Sequence, residues 1–258
     1  MTGWTTRAGF SQMTTFAAIW TAISLAVIAG AAEAAGCENL TFDGARFTVC
    51  TADPGTEDIR LFLNGTDGKP LGTFDNVEAS LGEGEALIFA MNGGMYHPDR
   101  RPVGLYIENG VERRGIVTRE GPGNFGLLPN GVLCLTDGTA RIAESRAFAA
   151  APPGCEFATQ SGPMLVIDGA LHPRFLEDST SVYLRNGVGV TEDGLIVAAI
   201  SIEPVTFHHF GRLFRDALAT PNALFLDGNV SRLYAPVLGR HDFGFPMGPI
   251  LGVVAPKD

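Results

Sequence analysis

Short apolar runs that end in Asn-Gly or Asp-Gly restrict the fold of this chain more than any other feature. Asn64-Gly65, Asn109-Gly110, Asn130-Gly131, Asp137-Gly138 and Asp168-Gly169 each adjoin such a run. These pairs tolerate the positive backbone angles of two-residue hairpin turns, so each predicts a reversal between antiparallel strands. Glycine supplies 33 of 258 residues, which also favours many turns and many short strands. Runs 42–50 and 59–63 read as strands, with Ala52-Asp53-Pro54-Gly55 a turn between them. Asn64-Gly65-Thr66-Asp67-Gly68 is a second turn, consistent with a hairpin. Runs 86–90, 132–135, 164–167, 195–202, 223–226 and 250–254 read as further strands, and 103–107 with 111–117 as a hairpin. Helical spacing is clear once, over 206–218, where Phe207, Phe210, Leu213, Phe214 and Leu218 share a face. Thr206 is placed to cap that helix, and Pro221 lies beyond its end. Residues 76–81 suit a shorter helix. The expected fold is therefore α+β: one domain with a mixed, largely antiparallel sheet of many short strands and few helices.

With 45% hydrophobic residues the chain has enough apolar material for a sizeable core. Its formal net charge of -10 argues against a nucleic-acid surface, yet leaves room for an anion held by a local arginine. Arg7 is followed by an apolar run, 16–32, and Ala32-Glu33-Ala34 puts small residues at the spacing of a cleavage site. Residues 1–34 thus read as an export signal and 35–258 as the mature domain, periplasmic or secreted. Left uncleaved, the run is long enough to anchor the chain in a membrane, the one circumstance in which a membrane is expected. Cys37, Cys50, Cys134 and Cys155 all follow the signal, and an even count in an exported chain predicts disulfides. Four cysteines allow three connectivities, of which pairing sequence neighbours is the simplest. Their spacing fits no zinc motif, and no cofactor is expected.

Four Gly-rich stretches carry the polar residues that suggest chemistry. Strand 86–90 runs into Asn92-Gly93-Gly94-Met95-Tyr96, whose amide and backbone N–H groups suit an anion. His97, Arg100 and Arg101 follow in a polar loop where a His or Arg could line a cleft. Gln160-Ser161-Gly162-Pro163 brings an amide and a hydroxyl to a sharp bend. Arg185 sits inside a strand-like pattern, where burying its charge requires an acidic partner or an anionic ligand. The run 223–226 ends in Asp227-Gly228-Asn229-Val230-Ser231, placing an acid at the rim of the core. Glu203 likewise closes the apolar run 195–202. Oxygen ligands from Asp227, Asn229 and Glu203 would suit Ca²⁺ or Mg²⁺ as an alternative use of the same residues.

Taken in order, these stretches resemble the phosphodiester glycosidase domain family. Asn92-Gly93-Gly94-Met95-Tyr96 with Pro102-Val103-Gly104 resembles its Asn-Gly/Ala-Gly-aromatic…Pro-x-Gly region. Ser161-Gly162-Pro163-Met164-Leu165 resembles its Ser-Gly-Pro strand entry, and Arg185-Asn186-Gly187-Val188-Gly189 stands where members often read Arg-Thr-x-x-Gly. The helix and Ala223-Leu224-Phe225-Leu226-Asp227-Gly228-Asn229-Val230-Ser231 resemble the closing Ala-x-x-Leu-Asp-Gly-Gly-x-Ser. The resemblance spans roughly 87–254 and departs at Asn186 and Asn229, so it does not carry a substrate's identity. It implies a hydrolase acting on a sugar 1-phosphodiester or related anionic glycan, as in the lysosomal member that removes N-acetylglucosamine from a phosphodiester on mannose. Its partner would be a carbohydrate or sugar-phosphate substrate. Asp227 would be the catalytic base or nucleophile, with Glu203 the second carboxylate. Asn92, Gly93, Gly94, Gln160, Ser161, Arg185, Asn229 and Ser231 would bind substrate. The competing expectation is a non-catalytic polysaccharide or cell-wall binding protein using the same polar rim. A cleft holding Arg185 and a carboxylate favours the enzyme, whereas a shallow aromatic surface away from Asp227 favours the binder.

Overall fold

A computed structural model describes residues 1–5, 9, 35–228 and 230–257. The chain divides into Met1–Ala31 and Ala32–Asp258, and every helix and strand among the described residues belongs to the second unit. The expected signal peptide falls almost wholly outside the described residues. Among those described, no helix is long and apolar enough to cross a membrane.

The strands form three sheets rather than one, and every pairing is antiparallel, so the mixed component expected from sequence is absent among the described residues. The largest sheet has seven strands in the order Gly36–Phe42, Ala45–Ala52, Ile196–Ser201, Asn186–Val190, Asn222–Asp227, Met164–Ile167 and Ala170–Leu171. A second orders Arg240–His241, Leu233–Ala235, Glu85–Asn92, Ile250–Pro256 and Asp58–Phe62. A third orders Val111–Arg114, Tyr106–Glu108, Phe157–Ser161, Gly131–Thr136 and Thr139–Glu144.

Turn chemistry sets the local reversals. Asn109 (φ 53) and Gly110 (φ 71) join one hairpin, Asp137 (φ 45) and Gly138 (φ 70) a second, and Asp168 (φ 46) and Gly169 (φ 81) a third. Two consecutive positive φ values match the right-handed twist of the flanking strands. Asp43-Gly44 makes a fourth turn of this kind, which splits the strand expected over 42–50 into Gly36–Phe42 and Ala45–Ala52. Asn64-Gly65 closes no hairpin of regular strands. It spans the isolated bridge between Asn64 and Pro70, while Asp58–Phe62 pairs with the distant Ile250–Pro256.

Three α-helices accompany the sheets among the described residues, with a short 3-10 helix over Pro236–Leu238. Thr73 caps Phe74–Ser80 by accepting from the Asn76 N–H, and Glu144 caps the unanticipated Ser145–Ala150. Thr206 caps Phe207–Arg212 as expected, and the chain then widens into a π-helical turn, Leu213–Ala217. Strand alternation divides the core. Leu224, Leu226, Ala198 and Ile200 face an interior shared with Leu61 and Phe89 of the second sheet and Leu133 of the third. Ala223, Phe225, Val197 and Ala199 face the other way, onto Phe210, Leu213 and Phe214 of the helical segment. With both faces covered, these strands read as continuous apolar runs rather than alternating ones. Cys37–Cys50 and Cys134–Cys155 are disulfide-bonded, each joining sequence neighbours.

Candidate active site

One strand from each sheet ends at a common point: Glu85–Asn92, Phe157–Ser161 and Asn222–Asp227. Beside them the antiparallel Asn186–Val190 begins. Side-chain hydrogen bonds tie the four ends together. The Ser161 hydroxyl donates to the Leu226 carbonyl at 2.9 Å, and the Thr159 hydroxyl to the Gly93 carbonyl at 2.6 Å. Asn186 Nδ2 donates to Asn92 Oδ1 at 3.2 Å, while Asn186 Oδ1 accepts the Asp227 N–H at 3.2 Å. Asn92 Oδ1 also accepts the Arg232 N–H at 2.8 Å, and Asn92 Nδ2 donates to the Val230 carbonyl. The pairing register slips between Asn186 and Gly187, so Asp227 lies on an irregularity that re-aims a strand-end side chain.

Asp227, 9% exposed, lines a cavity of about 780 Å³ together with Arg185. Strand ends form its floor, and loop residues including Tyr96, His97, Asn124, Tyr183 and Phe245 form its walls. Among the described residues that line it, Asp227 is the only carboxylate. Burial pushes the Tyr96 phenol up, and the Asp227 charge adds to that, so Tyr96 keeps its proton at neutral pH. The Arg100 guanidinium lies 5.4 Å from the Tyr96 ring centre.

Arg185 is 1% exposed. Its Nε donates to the Val205 carbonyl at 2.8 Å and its Nη2 to the Ser181 carbonyl at 3.1 Å. The guanidinium carbon lies 3.6 Å from the centre of the Phe207 ring, a cation–π contact. Among the described residues the guanidinium has no ion-pair partner. Of the two sequence readings for this arginine, the intramolecular ion pair is therefore not realised among the described residues. Burial pushes its pKa down to about 10, which leaves it charged at neutral pH. Two of its five N–H bonds are used by carbonyls, and the other three make no hydrogen bond among the described residues.

Several residues expected to touch substrate are instead part of the frame. Gln160 accepts from the Leu105 and Val117 N–H groups and donates to the Val117 carbonyl and the Ser145 hydroxyl, so its amide is satisfied internally. Asn92 and Ser161 are fully buried and bonded as described above. The Gly93 N–H donates to the Pro249 carbonyl at 2.7 Å. A Cβ on Gly93 would stand 2.9 Å from the Ile250 and Leu251 backbone, and one on Gly94 2.6 Å from Thr159 Oγ1, so both glycines permit close packing. The single Ser231 O–H is placed between the Asp227 carbonyl at 3.1 Å and the Leu184 carbonyl at 3.3 Å. Asn229 lies outside the described residues.

Glu203 does not line the cavity. Its carboxylate accepts from the Arg46 N–H at 2.8 Å and from Arg46 Nε at 2.6 Å, on the exposed side of the sheet. The expected pair of Asp227 and Glu203 is thus not assembled, because the Glu203 carboxylate is turned to Arg46 and away from the cavity. The oxygen-ligand set built on Glu203 fails for the same reason, and no group of three or more His, Cys, Asp or Glu among the described residues suits a metal. Sequence reasoning missed the contributions of Asn124, Ser181, Tyr183, Phe207 and Phe245. Only Phe207 carried a signal, as an aromatic in the first turn of a helix already expected.

Three antiparallel sheets whose strand ends meet at a cavity holding a buried carboxylate and a buried arginine define this chain as an α+β protein with its polar site at the strand ends. The family model for phosphodiester glycosidases matches residues 85–244, and the chain belongs to that family. An Escherichia coli strain K12 protein, uncharacterised YigE, is 33% identical over 184 residues, covering 71% of this chain and 72% of YigE. The zebrafish N-acetylglucosamine-1-phosphodiester alpha-N-acetylglucosaminidase catalytic domain, auto-inhibited by its pro-peptide, shares the fold. Its TM-score is 0.58 at 12% identity, over 85% of this chain and 81% of that one. A putative exported protein from Burkholderia pseudomallei K96243 is similar with a TM-score of 0.52 at 12% identity, over 81% of this chain and 74% of that one.

Proposed function

We propose that this protein is an extracytoplasmic hydrolase that cleaves a sugar 1-phosphodiester at the anomeric carbon. The observation that carries this reading is the buried Arg185 guanidinium, without an ion-pair partner among the described residues, in the same cavity as Asp227. A buried cation of this kind is stabilised by an anionic ligand. Arg185 binds the phosphodiester, and Phe245 at the rim gives an apolar face for the sugar ring. Asp227 takes the proton of the attacking water as its oxygen bonds to the anomeric carbon. The bond from that carbon to the phosphate oxygen breaks, and the phosphomonoester leaves with the electron pair. A phosphate is already a good leaving group, so one carboxylate suffices where ordinary glycosides require two. Tyr96, protonated beside Asp227, donates a hydrogen bond to the substrate. Two disulfides and the exported neighbour support action outside the cytoplasm.

The test is turnover of sugar 1-phosphodiesters by the purified protein, with Asp227→Asn beside it. The variant should fold and bind substrate while kcat falls at least about 100-fold, the usual contribution of a positioned base. Undiminished turnover by folded Asp227→Asn protein would overturn the assignment.

A further inference from the structure

Behind the wall that carries Arg185 lies a second cavity, of about 690 Å³, which shares no lining residue with the first. Tyr183 and Arg185 line the first, whereas Leu184 between them lines the second, as expected of an extended segment with alternating side chains. The second is lined among others by Thr48, Ser201, Arg232, Arg240, His241 and Asp242. Arg232 is 8% exposed, and its guanidinium makes no hydrogen bond or ion pair among the described residues. The nearby carboxylate is already engaged: Asp242 accepts from Arg240 Nε and Nη2 and from the Leu233 N–H. His241 meets Asp75 at 3.2 Å. The backbone is shaped around the Arg232 side chain. Gly244 has φ +142, and a Cβ there would fall 2.3 Å from Arg232 Nη2. The Ser201 oxygen accepts the Arg185 N–H at 2.9 Å, which leaves its own O–H to donate elsewhere.

We propose that this cavity is a second anion-binding site, centred on Arg232, for a phosphate group. Arg232 supplies the charge and the planar set of donors, Ser201 a hydroxyl, and Arg240, neutralised by Asp242, the wall. The two cavities share no lining residue, although the Arg232 charge reaches Tyr96 of the first, so Leu238→Glu is the variant that touches the second cavity alone.

Calorimetric titration of the full chain with inorganic phosphate at low salt tests this, and a hexose 6-phosphate as a second titrant distinguishes free phosphate from a sugar-borne one. The unmodified protein should bind two phosphates. Arg232→Met should weaken one of them about 10- to 100-fold, the loss expected for a charge-assisted donor, and leave the other. Arg185→Met should do the reverse. Leu238→Glu places a carboxylate at this second cavity from a helical position already 36% exposed, and should weaken the Arg232 phosphate without altering Arg232. That variant decides the matter if Arg232→Met fails to fold. Two phosphates bound with unchanged affinity by Leu238→Glu would overturn the proposal. So would a single phosphate on the unmodified protein that disappears with Arg185→Met.

Discussion

A guanidinium buried as deeply as Arg185 ordinarily sits against a carboxylate, because desolvating a lone charge costs several kcal/mol. Here its neighbours are two carbonyls and aromatic rings. In the ligand-free protein Arg185 therefore detracts from stability. Arg185→Met should leave the melting temperature unchanged or raise it, because Val205 keeps the Tyr183 N–H as a partner for its carbonyl and methionine fills similar space. Phosphodiester binding should fall in the same variant. Melting curves with and without ligand check both, and a fall of several degrees in the ligand-free variant would show Arg185 to be structural. The neighbouring polar residues illustrate why site residues are only partly legible in sequence. Asp227 closes an apolar run and Arg185 sits inside a strand-like pattern, which marks both, yet Glu203 closes a run in the same way and lies outside the cavity. Asn92, Gln160 and Ser161 have the same composition as ligand-binding residues, yet their bonds go to backbone and to other side chains of the frame. A buried amide serving the frame and one serving a ligand look alike until the partners are known.

Among the elements, three of the five expected reversals were legible, whereas Asn64-Gly65 and Asn130-Gly131 join no pair of regular strands, and sheet membership was not legible. Asn109-Gly110, Asp137-Gly138 and Asp168-Gly169 fold as their chemistry dictates, since a two-residue turn is decided by its own backbone angles. Asp58–Phe62 finds its partner in Ile250–Pro256 at the other end of the chain, and nothing local records that choice. The two kinds of glycine should respond differently to alanine. Gly110 (φ 71) has open space where a Cβ would go, so Gly110→Ala meets only backbone strain of about 1 kcal/mol and should keep full activity. Gly93→Ala would press a methyl into the backbone of the Ile250–Pro256 strand and should cost about 1–3 kcal/mol. It should also lower kcat, because Asn92 beside it holds the segment after Asp227. Thermal melts and turnover of the two variants make the comparison, and equal activity in both would separate the Asn92 linkage from catalysis.

For the whole molecule, the two disulfides each close a short loop, with sequence separations of 13 and 21. Restriction of the unfolded chain should make each worth about 3 kcal/mol. Replacing Cys134 and Cys155 by serine should therefore lower the melting temperature by roughly 6–12 °C, taking about 2–4 °C per kcal/mol for a domain of this size. Neither bridge touches the cavity, so turnover below the transition should persist, as an assay at low temperature would show.

The cavity's construction bears on how such a protein diversifies. Its floor belongs to strand ends fixed by the core, while its rim comes from segments around 95–103, 123–124, 181–183 and 245–246 that contribute little to the two main apolar clusters. Rim and floor are thus separable inheritances: exchanging those four segments with a relative's would re-tailor ligand preference while Arg185 and Asp227 stay where the sheets put them. Change in the rim would then alter which ligand is held without disturbing the buried charges beneath it.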